Sequence, residues 1–84
     1  MKATLKLFAT LTAHLPAQAR RAGLVELELA PATTVRDVIE QQRLPPALCT
    51  LVLVNGVFVG PADWAGRVLA EGDVLAIWPP VGGG

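Results

Sequence analysis

The sequence holds a single cysteine, Cys49, so no internal disulfide can staple the fold. An isolated thiol of this kind reads as a small core hydrophobe, and so sparing a use of cysteine makes the cytoplasm the expected compartment. Charge is scarce as well. Only 17% of residues are Asp, Glu, Lys or Arg, and seven bases balance seven acids. A chain with no net charge and a pI near 6.5 lacks the basic field that nucleic acid or an acidic membrane surface would require. No apolar run is long enough to span a bilayer, and no apolar signal-like segment follows Met1. Repeats and linkers are also lacking.

Catalytic apparatus is equally thin. His14, the only histidine, has no Cys or acidic partner at metal-ligand spacing and reads as a surface residue. No Ser/His/Asp, Cys/His or paired-carboxylate constellation is present. Without a Gly-x-x-x-x-Gly-Lys loop, the chain is not expected to bind ATP on its own. The expectation is a non-enzymatic protein that holds no metal and no cofactor.

What the chain does have is apolar content. Fifty-two per cent of its 84 residues are hydrophobic, which suits one small domain. A domain of this size buries only about 60–65% of the surface its unfolded chain exposes, so an apolar patch should remain outside.

The patterns order themselves simply. Lys2 to Phe8 alternates, with Ala3, Leu5 and Leu7 on one face. Leu11 and Leu15 mark a short helical turn before Pro16, and a polar loop closes at Gly23. Leu24 to Leu29 alternates again, with Val25, Leu27 and Leu29 inward and Glu26 and Glu28 outward. An antiparallel pairing of the two strands would set those glutamates against Lys2 and Lys6. Thr34 is placed to cap a helix, with Asp37 in its first turn and Val35, Val38 and Ile39 as an apolar stripe. Arg36, Glu40 and Arg43 fall on the polar side, and Pro45-Pro46 should stop the helix. Asn55-Gly56, between Leu51–Val54 and Val57–Val59, is a hairpin signal. Turns follow at Gly60-Pro61 and Glu71-Gly72-Asp73, and Val74–Trp78 is the last strand. One helix covers one face of a sheet, so the expected architecture is two-layer α+β with a mixed sheet on one main helix.

The chain closes on Pro79-Pro80-Val81-Gly82-Gly83-Gly84. Residues 1–78 read as the domain and 79–84 as a flexible tail. Glycines contribute nothing to a core and lose the most backbone entropy on ordering. A tail tip without Cβ atoms can, however, enter a channel that admits no side chain. Extended, residues 79–84 span roughly 20 Å at about 3.3–3.6 Å per residue. Pro79-Pro80 would stiffen the base toward polyproline II. The reactive group suggested by this ending is the carboxylate of Gly84.

These pieces together resemble the ubiquitin-like β-grasp sulfur carriers of the MoaD/ThiS type: the small subunit of molybdopterin synthase and the sulfur carrier of thiamine biosynthesis. Leu7-Phe8-Ala9-Thr10-Leu11, Thr34-Val35-Arg36-Asp37, Val54-Asn55-Gly56, Glu71-Gly72-Asp73-Val74 and Trp78-Pro79-Pro80-Val81 leading to Gly83-Gly84 carry the resemblance across the whole chain. Leu-Phe-Ala and Pro-Pro-Val-x-Gly-Gly lean toward the molybdopterin branch, although Gly82 stands where that branch usually has Ala and Trp78 where it has Phe. The resemblance implies that an adenylating enzyme of the ubiquitin-activating type, carrying ATP, magnesium and zinc, joins the Gly84 carboxylate to AMP. A persulfide donor then supplies sulfur, leaving a thiocarboxylate. The large subunit of molybdopterin synthase is an implied further partner.

By analogy with ubiquitin-like proteins, Val74, Ala76 and Trp78 would face the partner from the last strand, joined by Phe8 from the first. Trp78 and Phe8 can equally be read as core, and Arg20-Arg21 as a solvated loop or a contact for an acidic partner patch. Three other functions remain open at this point: a thiamine-type carrier, a protein modifier, and a non-covalent interaction module.

Overall fold

The computed structural model describes residues 1–80. Val81, Gly82, Gly83 and Gly84 lie outside the described residues. Five strands form one mixed sheet: β1 (Lys2–Leu7), β2 (Leu24–Glu28), β3 (Leu51–Val54), β4 (Val57–Phe58) and β5 (Val74–Trp78), in the order β2-β1-β5-β3-β4. β1 runs parallel to β5; the other pairings are antiparallel. A single α-helix among the described residues, α1 (Val35–Gln41), lies between β2 and β3 in the chain. Short 3₁₀ turns at Ala9–His14, Ala17–Ala19, Pro46–Leu48 and Pro61–Asp63 complete it. The expected α+β arrangement of mixed sheet and one main helix is what forms.

Period-two alternation decides which side chains enter the core. Ala3, Leu5 and Leu7 are buried from β1, Val52 and Val54 from β3, and Leu75 and Ile77 from β5. The register aligns them, with Leu5 opposite Leu75 and Leu7 opposite Ile77, while Val52 and Val54 sit opposite Ile77 and Leu75. Val35, Val38 and Ile39 of α1 complete the layer with Leu11, Leu15, Leu44 and Trp64. Trp64 is buried because its Nε1–H finds a partner, donating to the Val59 carbonyl at 3.1 Å.

The helix begins as its sequence requires. Thr34 Oγ1 accepts from the Asp37 N–H at 3.1 Å, and Asp37 Oδ2 accepts from the Thr34 N–H at 3.0 Å, a reciprocal capping box. Its end differs from expectation. Pro45-Pro46 does not stop α1; the chain turns earlier, at Arg43, which adopts φ 55°. The Arg43 N–H donates to the Glu40 carbonyl and the Leu44 N–H to the Ile39 carbonyl, each at 3.0 Å. This is a Schellman ending built without glycine. Leu44, 3% exposed, plugs into the core just past it, and that burial offsets the left-handed conformation of Arg43.

At the hairpin, Asn55 (φ 51°) and Gly56 (φ 83°) both take left-handed backbone, the requirement of a type I′ turn. Asn55 does more than turn. Its Nδ2 donates to Asp73 Oδ1 and its Oδ1 accepts from the Val74 N–H, both at 2.9 Å, tying the hairpin to the start of β5. No helix among the described residues is long and apolar enough to cross a membrane.

Candidate docking face at the base of the tail

The side chains that point away from α1 form a second surface on the same sheet. Cross-strand register builds it row by row. Leu51 lies opposite Trp78. The next row is Leu24, Lys6, Ala76, Leu53 and Phe58. Below it come Glu26, Thr4 and Val74, then Glu28 and Lys2. The half of this face nearest the end of β5 is therefore apolar apart from Lys6, and the far half is polar and charged. Lys2 Nζ reaches Glu26 Oε1 at 3.5 Å there, diagonal to its direct neighbour Glu28.

The apolar half is not covered. Phe58 is 58% exposed, Leu24 42% and Leu51 39%; Val57, Val68 and Leu48 are exposed elsewhere on the domain, but these three share one contiguous face, and contiguity is what marks an apolar patch. Trp78 and Phe8 are half-buried and stack on one another, ring centroids 3.9 Å apart and planes 6° from parallel. Neither belongs to the core beneath α1. Phe8 leaves β1 in extended conformation, and its N–H donates to the Ile77 carbonyl at 3.3 Å. The Trp78 carbonyl accepts from the Thr50 N–H at 3.0 Å. The aromatic pair is thus anchored on both neighbouring strands immediately before the tail.

The sequence-expected partner residues are brought together, with one qualification. Val74, Ala76, Trp78 and Phe8 share the open side, but Ala76 is only 8% exposed. Its methyl lies between Lys6 and Leu53 in register, so taller neighbours supply the contact area. Pro79 is buried and Pro80 exposed, while the tail positions Val81, Gly82, Gly83 and Gly84 fall outside the described residues. Sequence reasoning missed Leu24, Leu51, Leu53 and Phe58. The signal was available: an Asn-Gly type I′ turn fixes Val54 opposite Val57 and Leu53 opposite Phe58, which sends Leu51, Leu53 and Phe58 to the side away from Val52 and Val54.

The remaining chemistry-bearing residues are not assembled. Cys49 is buried, its Sγ bonded to the Pro45 carbonyl at 3.5 Å, and burial pushes its thiol pKa up, away from the reactive thiolate. His14 is exposed. Among the described residues, no group of three or more His, Cys, Asp or Glu side chains is placed to hold a metal.

A five-stranded mixed sheet packed on one helix, with parallel first and last strands at its centre, is the ubiquitin-like β-grasp. The chain belongs to the ThiS family, whose sequence profile matches residues 13–84. Small archaeal modifier protein 1 of Haloferax volcanii is similar at 28% identity over 95% of this chain and 98% of that one, with a TM-score of 0.64. A putative molybdopterin converting factor, subunit 1, from Pyrococcus furiosus is 26% identical over 96% and 99% of the two chains, with a TM-score of 0.65. The complex of subunits 1 and 2 of the molybdopterin-converting factor from Helicobacter pylori contains a chain that shares the fold, at 15% identity, full coverage of both chains and a TM-score of 0.60. No curated protein matches the sequence.

Proposed function

We propose that this protein is a sulfur carrier whose Gly84 carboxylate is adenylated by a partner enzyme and converted to a thiocarboxylate, serving molybdopterin synthesis. The observation that carries the reading is a juxtaposition. A family match that runs to Gly84 coincides with an uncovered apolar half-face converging on Trp78, the last residue before the tail. A carrier needs a docking surface and a slim reactive end, and it needs no catalytic side chain. The partner supplies ATP, magnesium and zinc. Carboxylate oxygen attacks the α-phosphate and pyrophosphate leaves; the terminal sulfur of a persulfide donor then displaces AMP, and the resulting acyl disulfide is cleaved by a thiol of the partner, which releases the thiocarboxylate and leaves a disulfide with the donor sulfur. The likeness to a molybdopterin converting factor subunit 1 supports a second synthase subunit as the next acceptor of the sulfur.

A second reading is favoured by the likeness to small archaeal modifier protein 1. The same activated Gly84 would then pass to a lysine amine and end as an isopeptide bond. Both readings share adenylation and differ in the acceptor.

The test is ATP–pyrophosphate exchange with a ubiquitin-activating-type adenylating enzyme from the same host. Native protein should drive exchange, and a chain lacking Gly83-Gly84 should not. Equal exchange by both would overturn the reading in favour of a non-covalent interaction module.

A further inference from the structure

Three of the seven basic residues converge where none of the foregoing chemistry uses them. Lys6, Arg20 and Arg21 line an open hollow of about 360 Å³ next to the aromatic pair. Phe8 and Leu24 form its apolar wall, and Gly23 brings the two segments together through its carbonyl, which accepts from the Leu7 N–H at 2.9 Å. The three cations come from different places in the chain: Lys6 from β1 and the arginines from the loop ahead of β2. The loop is held rather than splayed, since Arg20 Nε donates to the Leu15 carbonyl at 3.0 Å and the Gly23 N–H to the Ala19 carbonyl at 3.0 Å.

No acidic side chain lines the hollow. Among the described residues the ion pairs are Lys2–Glu26, Arg36–Glu40 and Arg67–Asp73, so Lys6, Arg20 and Arg21 have no carboxylate partner among those residues. Like charges gathered without compensation lower stability slightly and are retained at surfaces that meet an opposite charge. Elsewhere the chain disperses its charge: the opposite end of the same sheet face pairs Lys2 with Glu26.

We propose that this hollow is the electrostatic half of the docking site and takes an acidic segment of the activating enzyme, carboxylates flanked by apolar side chains. This rests on the carrier reading and names the partner chemistry of the same face. Two observations select the occupant. The cations require negative charge. The continuous apolar surface from Leu24 through Phe8 to Trp78 requires hydrocarbon beside it, which a protein segment offers and a bare phosphate or nucleic-acid backbone does not. Charges at the rim of an interface act chiefly on encounter rate and salt dependence, and the apolar centre acts on residence.

The test measures adenylation by the activating enzyme as carrier concentration and salt are varied. Arg20 is left intact because its guanidinium holds the loop. The variant is Lys6→Gln with Arg21→Gln, and the control is Arg36→Gln with Arg43→Gln, which removes equal charge from the helix side. Melting temperatures verify that all are folded. The KM for the carrier should rise about tenfold in the Lys6/Arg21 variant, with a flatter salt dependence, and stay near native in the control. Equal KM values and equal salt slopes for both variants would overturn the proposal while leaving the carrier reading standing. Absence of any adenylation of the native chain would overturn the carrier reading and this proposal with it.

Discussion

The two faces of the one sheet are built from similar residues and meet different fates. Toward α1, Leu5, Leu7, Val52, Val54, Leu75 and Ile77 are all 1% exposed or less. Away from it, Leu24, Leu51 and Phe58 are 39–58% exposed, although Leu51 alternates with Val52 and Val54 on β3 and the other two lie on the flanking strands of the same sheet. Strand propensity does not explain the difference, because β-branched, leucine and aromatic side chains serve both faces. The inner face is apolar throughout, whereas the outer face is apolar only in the half next to the tail and becomes charged at Lys2, Glu26 and Glu28. A sheet that merely lacked a second covering layer would be polar across that whole side. Selective hydrophobicity at the tail's base supports the docking role proposed for that surface.

Substitutions sharpen the contrast, and the inner face should give the largest effect. Ile77→Ala leaves a cavity at a site with no solvent contact, and denaturant unfolding should show a loss of about 2–5 kcal/mol. Trp78→Ala, one residue further on and facing outward, should cost less, about 1–3 kcal/mol, for the covered part of the ring and its stack on Phe8. Its effect should appear in partner binding, with kcat/KM for activation lower by about tenfold, near 1.4 kcal/mol. A loss of several kcal/mol in stability with intact activation would reverse the assignment of the two faces. Thr34→Ala removes the cap of α1 and should cost about 1 kcal/mol in stability without touching activation.

The smallest effect is expected at Asp73, which fastens the turn before β5. Hydrogen bonds from the Ala70 N–H and from Asn55 hold its carboxyl below the ordinary carboxylate range. A carboxyl whose folded pKa is depressed contributes stability above its unfolded pKa and loses it as the pH falls through the folded one. Stability should therefore decline on acidification below the normal Asp range, and Asp73→Asn should make the pH dependence shallower. Identical pH profiles for the two proteins would remove Asp73 from that account.

Much of the architecture was legible in the chain because its signals were local. Alternation in Lys2–Leu7 and Leu24–Leu29, the Thr34–Asp37 box and Asn55-Gly56 each specify their own geometry within a few residues. The end of α1 was hidden because the proline pair is a stronger local stop than Arg43, whose left-handed turn depends on burying Leu44 in a core assembled from distant segments. Leu51–Val54 concealed its outward residues because all four positions are apolar, so no polar partner marks the exposed side. The basic hollow was half visible as Arg20-Arg21; Lys6 joins it only through pairing of β1 with β2. The tail's proposed chemistry rests on its composition alone, since a reactive carboxylate needs no fold of its own and residues 81–84 lie outside the described residues.

The most direct test of the central claim is to isolate the protein from its native host, while the pathway is in use, and fragment it intact by mass spectrometry. The account predicts sulfur in place of one oxygen, localised to the fragment containing Gly84 and absent from fragments containing Cys49 or Met1. A carboxylate that stays unmodified under those conditions, with no isopeptide remnant on any other protein, would contradict it.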